Sequence, residues 1–124
     1  MKKHYLIDGN NLIGKIPSLF NIQKRNPQMA RQGLLNQLNR AFAGKKVNIT
    51  LFLDGFEKDV LSHPGIKISY SNKRTADDSI RDFISASDST SNLILVSSDG
   101  SLGQFAKKCA CDLILSSALK SEFR

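Results

Sequence analysis

The chain has 124 residues, a length that fits one domain with a single sheet and helices on both faces. Its 18 Lys and Arg against 11 Asp and Glu give a net formal charge of +7, which suits a polyanionic partner such as nucleic acid. No apolar stretch approaches the ~18 residues that span a bilayer, and the N-terminus runs directly into a predicted strand, so we expect a cytoplasmic protein with no membrane partner. Two cysteines, Cys109 and Cys111, are too few for a structural zinc site and are expected to be reduced thiols.

The hydrophobic pattern alternates between strands and helices along the chain. In chain order we predict a strand at 4–8, a helix at 27–43, strands at 47–54 and 66–70, a helix capped by Thr75, a strand at 93–98, a helix at 101–108, a strand at 112–116, and a tail at 118–124 that is either helical or frayed. Strands that alternate with helices pair in parallel through right-handed crossovers. The pattern therefore predicts an α/β fold: a single domain over 1–124, built as a three-layer sandwich around a mainly parallel five-stranded sheet in the order 3-2-1-4-5.

Three apolar runs in this chain each stop at an aspartate, namely Asp8, Asp54 and Asp99. The last residue of a buried parallel strand lies at the carboxyl edge of the sheet, where open α/β sheets place their ligand sites. The predicted order puts strand 1 beside strand 4, so we expect Asp8 and Asp99 to be neighbours. Asp54 looks the same in the sequence, but we assign it an outer or structural role because strand 2 lies one place further from the switch point. Asp-Gly after a strand is also an ordinary turn.

A fourth acidic element, Asp77 and Asp78, opens the helix that Thr75 caps and can lean toward the same edge. Asn11, placed on the loop after strand 1, can reach into the same site. The simpler interpretation of Thr75 and Asp78 is a capping box, which supports the helix start without touching a metal. Carboxylates are hard ligands, and one or two Mg²⁺ or Mn²⁺ ions held by them lower the pKa of a bound water for phosphodiester hydrolysis.

Four segments together resemble the NYN domains of the PIN-like nuclease superfamily, with the YacP-like bacterial proteins as the nearest group. These segments are Tyr5-Leu6-Ile7-Asp8-Gly9-Asn10-Asn11, Leu51-Phe52-Leu53-Asp54-Gly55, Thr75-Ala76-Asp77-Asp78 and Val96-Ser97-Ser98-Asp99. The resemblance implies Mg²⁺- or Mn²⁺-dependent cleavage of RNA, usually endonucleolytic, in a bacterial cytoplasm. It also implies that the metal-binding acids are Asp8, Asp77, Asp78 and Asp99, and that Asn11 takes the place of the family's Asn after the first Asp. An association with the ribosome or with RNA processing, and homodimerisation, stay open.

A site lined by carboxylates repels RNA unless basic residues surround it. Lys73 and Arg74 precede the predicted helix start and are the first candidates for phosphate contacts, followed by Lys15 on the loop after strand 1. Ser97 and Ser98 can hydrogen-bond a phosphate or orient the aspartate that follows them. For each lysine and arginine, the alternative is a solvated surface charge.

The sequence thus predicts a metal-dependent ribonuclease, with Asp8 and Asp99 as the central metal pair, Asp77 and Asp78 completing the site or activating water, and Asn11 positioning the phosphate. One alternative is a non-catalytic RNA-binding module of the same fold. A second alternative is a phosphotransfer protein of receiver or phosphatase type, which also places aspartates at strand ends. That scheme has no place for the acidic helix start.

Overall fold

The computed structural model describes residues 2–57 and 61–119 as a parallel sheet between two helical layers. Its elements are β1 (His4–Asp8), α1 (Gly9–Lys15), α2 (Pro17–Gln23), α3 (Pro27–Ala41), β2 (Asn48–Leu53), β3 (Lys67–Tyr70), α4 (Ala76–Ala86), β4 (Leu93–Val96), α5 (Gly100–Lys108), β5 (Asp112–Ile114) and α6 (Ser116–Leu119). In the described part of the chain, no helix is long and apolar enough to cross a membrane.

The sheet has the order β3-β2-β1-β4-β5, and each neighbouring pair of strands is parallel, which confirms the predicted fold class and strand order. The chain moves outward from β1 to β2 and β3, then returns to the other side of β1 for β4 and β5. Ile7 pairs with Val96 across the point where the direction changes, and Asp8 pairs with Phe52 on the opposite side. The carboxyl end of β1 therefore lies between the ends of β2 and β4.

The core consists of two apolar layers, one on each face of the sheet. Successive strand residues alternate between the layers, so that Ile7 packs with α1, α2, α3 and α6 on one face, while Leu6 packs with α4 and α5 on the other. Leu34 and Leu38 of α3 and Ile80 of α4 are almost fully buried against the sheet. Removal of this apolar surface from water is the main source of stability of the two helical layers.

The segment that follows β1 differs from the prediction. It forms helices α1 and α2 rather than a loop, so Asn11 and Lys15 lie on a helix, and Lys15 is its last residue. The segment contains two glycines, one proline and three asparagines, which have low intrinsic helix propensity. Burial of Leu12, Ile13 and Leu19 overcomes that preference.

The other elements lie close to the prediction, with shifts at their ends. The predicted strand 2 ran to residue 54, but β2 ends at Leu53, and the predicted strand 4 ran to residue 98, but β4 ends at Val96. Asp54 and Asp99 are therefore outside the ladder, where their side chains are available to cap helices. The predicted tail begins as α6, and residues 120–124 lie outside the described residues.

Candidate active site

Three aspartates converge where β1, β2 and β4 end. Asp8 is the last residue of β1 and is 8% exposed, an unusual degree of burial for a carboxylate. Asp54 follows β2 directly, and Asp99 is the N-cap residue of α5, with its Oδ1 accepting the backbone N–H of Leu102 at 2.9 Å. This edge is the crevice in which α/β sheets bind ligands.

Ser97 joins two of these aspartates. Its side chain is fully buried, and its hydroxyl donates to Asp8 Oδ2 at 2.8 Å while accepting the backbone N–H of Asp99 at 3.1 Å. The register explains the contact, because the pairing of Ile7 with Val96 places the next residues of β1 and of the chain after β4 side by side. Ser97 therefore holds the Asp8 carboxylate in one orientation and couples it to the backbone of Asp99.

The environment of Asp8 raises the pKa of its carboxyl group to about 6. Burial is the largest cause, and the negative charges of Asp54 and Asp99 raise the pKa further. The hydrogen bond from Ser97 and the backbone N–H of Asn11 act in the opposite direction by stabilising the ionised form. The site therefore concentrates negative charge that a bound cation would neutralise.

Asn11 is held by its carbonyl oxygen. Its Oδ1 accepts the backbone N–H of Ser98 at 2.9 Å and the hydroxyl of Ser116, a fully buried residue at the start of α6, at 2.8 Å. These two donors fix the orientation of the amide and occupy its oxygen. The amide nitrogen is left as the group that can donate to an incoming acceptor such as a phosphate oxygen.

Asp54 has a structural role and an electrostatic one. Its Oδ1 accepts the backbone N–H of Ala76, the first residue of α4, at 2.7 Å, which is a capping interaction. Its own backbone is held by Asn10 Oδ1 at 3.0 Å and by Arg31 Nη2, which donates to the Asp54 carbonyl oxygen at 2.6 Å. Asp54 nevertheless raises the pKa of Asp8 more than Asp99 does, and β2, like β4, is a direct neighbour of β1. The sequence-based ranking of the two acids missed this proximity.

The acidic start of α4 makes contacts of its own. Asp77 accepts a hydrogen bond from Arg81 Nε at 2.5 Å, and Arg81 Nη2 also reaches Ser101 Oγ at 3.0 Å. Asp78 and Thr75 form the predicted capping box, with the Asp78 N–H donating to Thr75 Oγ1 at 3.1 Å and the Thr75 N–H to Asp78 Oδ2 at 3.3 Å. Both carboxylates are thus engaged by groups of α4 and its N-cap.

The oxygen donors suit a hard divalent cation, although they do not form a complete cage. Among residues 2–57 and 61–119, no three His, Cys, Asp or Glu side chains are grouped closely enough to hold one ion. Mg²⁺ commonly binds through one or two protein carboxylates and completes its octahedral shell with waters and substrate phosphates. The buried Asp8 carboxylate, with the charges of Asp54 and Asp99 acting on it, fits that mode of binding.

The predicted substrate-binding residues lie on different elements: Lys15 ends α1, Lys73 and Arg74 precede α4, and Ser98 follows β4. Lys15 and Lys73 are exposed, whereas Arg74 is paired with Asp82 and lies 4.0 Å from Asp78. Ser98 Oγ is buried without a hydrogen-bond partner among the described residues.

Two residues were missed by the sequence analysis. Ser116, which anchors Asn11, is 105 positions away from it in the chain, and Arg31, which holds the Asp54 carbonyl, is 23 positions from Asp54. Neither has a local sequence signal that would identify its role, because both contacts depend on tertiary packing.

Comparison with known proteins agrees with the fold. The model of the YacP-like NYN domain family matches residues 5–124. The crystal structure of Rae1 (YacP) from Bacillus subtilis is similar with a TM-score of 0.81 at 21% identity, covering 99% of this chain and 74% of that chain. A mutant of the same protein gives a TM-score of 0.81 at 16% identity, covering 98% of this chain and 74% of that chain. At these identities the structural likeness shows the fold alone, and no curated protein matches the chain.

Proposed function

Because the chain belongs to the YacP-like NYN family, a family of nuclease-type domains, we propose that it is a metal-dependent ribonuclease that cleaves RNA phosphodiester bonds endonucleolytically. The observation that carries this proposal is the buried Asp8 carboxylate. The charges that act on its pKa are those of two further carboxylates, Asp54 and Asp99. Such an arrangement disfavours the ionised state unless a cation binds there. A domain without metal chemistry would have no electrostatic reason to keep it.

In this proposal Asp8 and Asp99 hold Mg²⁺ or Mn²⁺, and Asp77 and Asp78 complete the site or activate water. The ion would supply a water of lowered pKa and neutralise charge on the phosphate. Recruitment of Asp77 would replace its bond to Arg81. Recruitment of Asp78 would replace part of the α4 capping box.

The remaining residues of the site bind and orient RNA. The amide nitrogen of Asn11 donates to an oxygen of the scissile phosphate, because the amide oxygen is occupied by Ser98 and Ser116. Lys73, exposed just before α4, and Lys15, exposed at the end of α1, supply phosphate contacts. Ser97 keeps Asp8 oriented rather than acting as a nucleophile, since its hydroxyl is buried and already donates to a carboxylate.

The test replaces Asp8 or Asp99 with Asn in the purified protein. Each substitution removes a charge and keeps the side-chain shape, so we expect Mn²⁺-dependent cleavage of RNA to fall by at least about a hundredfold, within the several kcal/mol that a metal contributes to transition-state stabilisation. Asp112→Asn is the matched control, because Asp112 is exposed at the start of β5, at the opposite edge of the sheet. Full activity of either site variant would contradict the assignment.

The second candidate is a non-catalytic RNA-binding module of the same fold. It is favoured by the absence, within the described part of the chain, of a three-ligand group for one ion. RNA binding that is insensitive to chelators, together with no cleavage of any RNA in Mn²⁺ or Mg²⁺, would establish this candidate over the nuclease.

A further inference from the structure

Five exposed lysines lie at the edge of the sheet opposite the aspartates. Lys2 and Lys3 precede β1, Lys45 and Lys46 precede β2, and Lys67 is the first residue of β3. Parallel strands place these starts together, and the backbone N–H of Asn48 donates to the carbonyl oxygen of Lys3 at 2.9 Å. We call these five lysines the basic patch.

The charge of the basic patch is not neutralised locally. The segments 2–4, 45–50 and 63–67 contain no Asp or Glu. Salt bridges among the described residues are made by Arg74 and Arg81, not by these lysines. Uncompensated positive charge on one face is the electrostatic footprint of a polyanion-binding surface.

Two cavities border the basic patch, and we call the larger one the groove. One open cavity of about 330 Å³ has Lys67, His4, Asn48 and Thr50 in its lining, and a second of about 110 Å³ has Lys45, Phe42 and His63. The two cavities share Ile49, Gly65 and Ile66, but the larger one lies on the face of the sheet that packs against α4 and the smaller one on the face that packs against α3. The larger one falls within the ~300–1,000 Å³ of small-molecule sites, which is enough for an unstacked nucleotide.

The groove offers both apolar surface and hydrogen-bonding groups. His4 Nε2 lies 2.8 Å from Thr50 Oγ1, and the ring of His4 packs edge-on against Phe83 with centroids 5.2 Å apart. Burial, and to a smaller degree the charge of Lys67, lower the pKa of His4 and so favour its neutral form. The His4 ring, Asn48 and Ile66 suit a base, while Lys67 suits a phosphate.

We propose that the basic patch and its groove bind single-stranded RNA as a second, non-catalytic contact for the RNA that is cleaved at the opposite edge. A positively charged groove with apolar and ring surfaces is the usual arrangement for single-stranded nucleic acid. The choice of RNA as ligand rests on the proposed function. Strands of four to six residues at ~3.3 Å per residue separate the two edges by about 13–20 Å, so only an RNA long enough to pass around the domain contacts both.

The experiment compares two double variants that each remove two positive charges. Lys46→Gln with Lys67→Gln removes part of the basic patch, and Lys107→Gln with Lys108→Gln removes exposed lysines from the last turn of α5, outside the patch. Binding of a labelled, unstructured polyuridine RNA is measured in EDTA over a range of salt concentrations. Both variants have the same net charge, so a difference between them reports location rather than total charge.

We expect the patch variant to bind the polyuridine RNA at least about fivefold more weakly than the unmodified protein. The slope of log K against log salt concentration should fall in magnitude by about 1.4, or ~0.7 for each lost phosphate contact. The RNA affinity of the α5 variant should stay within about twofold of that of the unmodified protein. Cleavage of a short oligonucleotide that reaches only the aspartates should be unchanged in both variants. Equal weakening by the two variants, or none, would overturn the inference.

Two further outcomes separate this inference from the proposed function. If no RNA is cleaved but the patch variant alone loses RNA binding, the nuclease proposal fails and the second contact stands. If RNA is cleaved but the patch variant binds normally, the second contact fails and the nuclease stands. Competition by polyglutamate as effective as that by polyuridine would also overturn the inference, because the surface would then bind polyanions without preference for RNA.

Discussion

The Asp8 carboxylate lies in the protein interior, with the Ser97 hydroxyl as its side-chain hydrogen-bond partner. Its pKa is raised from 3.8 to about 6, mainly by burial. Because the folded state holds the Asp8 proton more tightly than the unfolded state does, the ionised side chain reduces stability above about pH 6. The residue is therefore kept at a cost in stability, which is typical of a functional site.

Asp8→Asn should make the metal-free protein more stable at neutral pH. The rise in the pKa of Asp8 from 3.8 to about 6 corresponds to at most about 3 kcal/mol of lost unfolding free energy. The asparagine side chain does not have this penalty. The difference in unfolding free energy between the two proteins should shrink as the pH falls from about 6 toward about 4. Over this range Asp8 becomes protonated in the folded protein. Urea unfolding in EDTA at several pH values measures the difference, and a variant that is less stable at neutral pH would contradict the interpretation.

Asp54 allows its two roles to be separated. Asp54→Asn keeps an acceptor for the Ala76 N–H and removes the charge, so we expect unchanged stability and a lower pKa for Asp8. Asp54→Ala removes the acceptor as well and should cost about 1 kcal/mol of unfolding free energy. Urea unfolding measures the stability difference, and carbon-detected NMR titration of the Asp8 carboxyl group measures its pKa. Equal stability of the two variants would show that the capping bond contributes nothing.

At the scale of elements, the start of α1 determines where Asn11 lies. Gly9 passes so close to β2 that a Cβ atom there would be 2.7 Å from both the Phe52 carbonyl oxygen and Leu53 Cδ2. Gly14, near the end of the same helix, has no neighbouring atom within 4 Å of such a Cβ. The two glycines therefore have different physical reasons to be present, although they look alike in the sequence.

Gly9→Ala and Gly14→Ala should consequently have opposite effects. Gly9→Ala forces α1 away from β2 at a cost of about 1–3 kcal/mol, and the shift of Asn11 should lower RNA cleavage. Gly14→Ala should stabilise the protein by about 0.5–1 kcal/mol, because alanine is the better helix former and the space is open. Thermal unfolding and cleavage rates measure both effects, and tolerance of alanine at Gly9 would exclude the close approach of α1 to β2.

At the scale of the whole molecule, charge is divided between the two edges of the sheet. The carboxyl edge has Asp8, Asp54 and Asp99, whereas the opposite edge has the basic patch, although the net charge of the chain is +7. A phosphate backbone is attracted to one edge and, without a cation, repelled from the other. The paired lysine variants described above test whether RNA binding at the opposite edge depends on the lysines beside β1, β2 and β3 rather than on those that lead to β5.

Much of the fold followed from the sequence because the relevant signals are local. Apolar runs such as Leu93 to Val96, separated by helical patterns, indicate parallel strands, and parallel strands bring their carboxyl ends to one edge. The juxtaposition of Asp8 and Asp99 follows from strand order alone. The Thr75 and Asp78 capping box was readable for the same reason, since its partners are three residues apart.

The remaining features were decided by tertiary packing. Helix α1 forms because Leu12 and Ile13 are buried against the sheet. This burial overcomes the low helix propensity of a segment rich in Gly and Asn. The hydrogen bond from Ser116 to Asn11, across 105 residues, and the effect of Asp54 on Asp8 depend on distances between segments that no local pattern encodes. The sequence by itself determined which acids share an edge, because chain direction and strand order suffice for that. Only the tertiary structure decided which carboxylate is buried and which ones cap helices or pair with arginine, because burial and hydrogen bonding are properties of the packed chain.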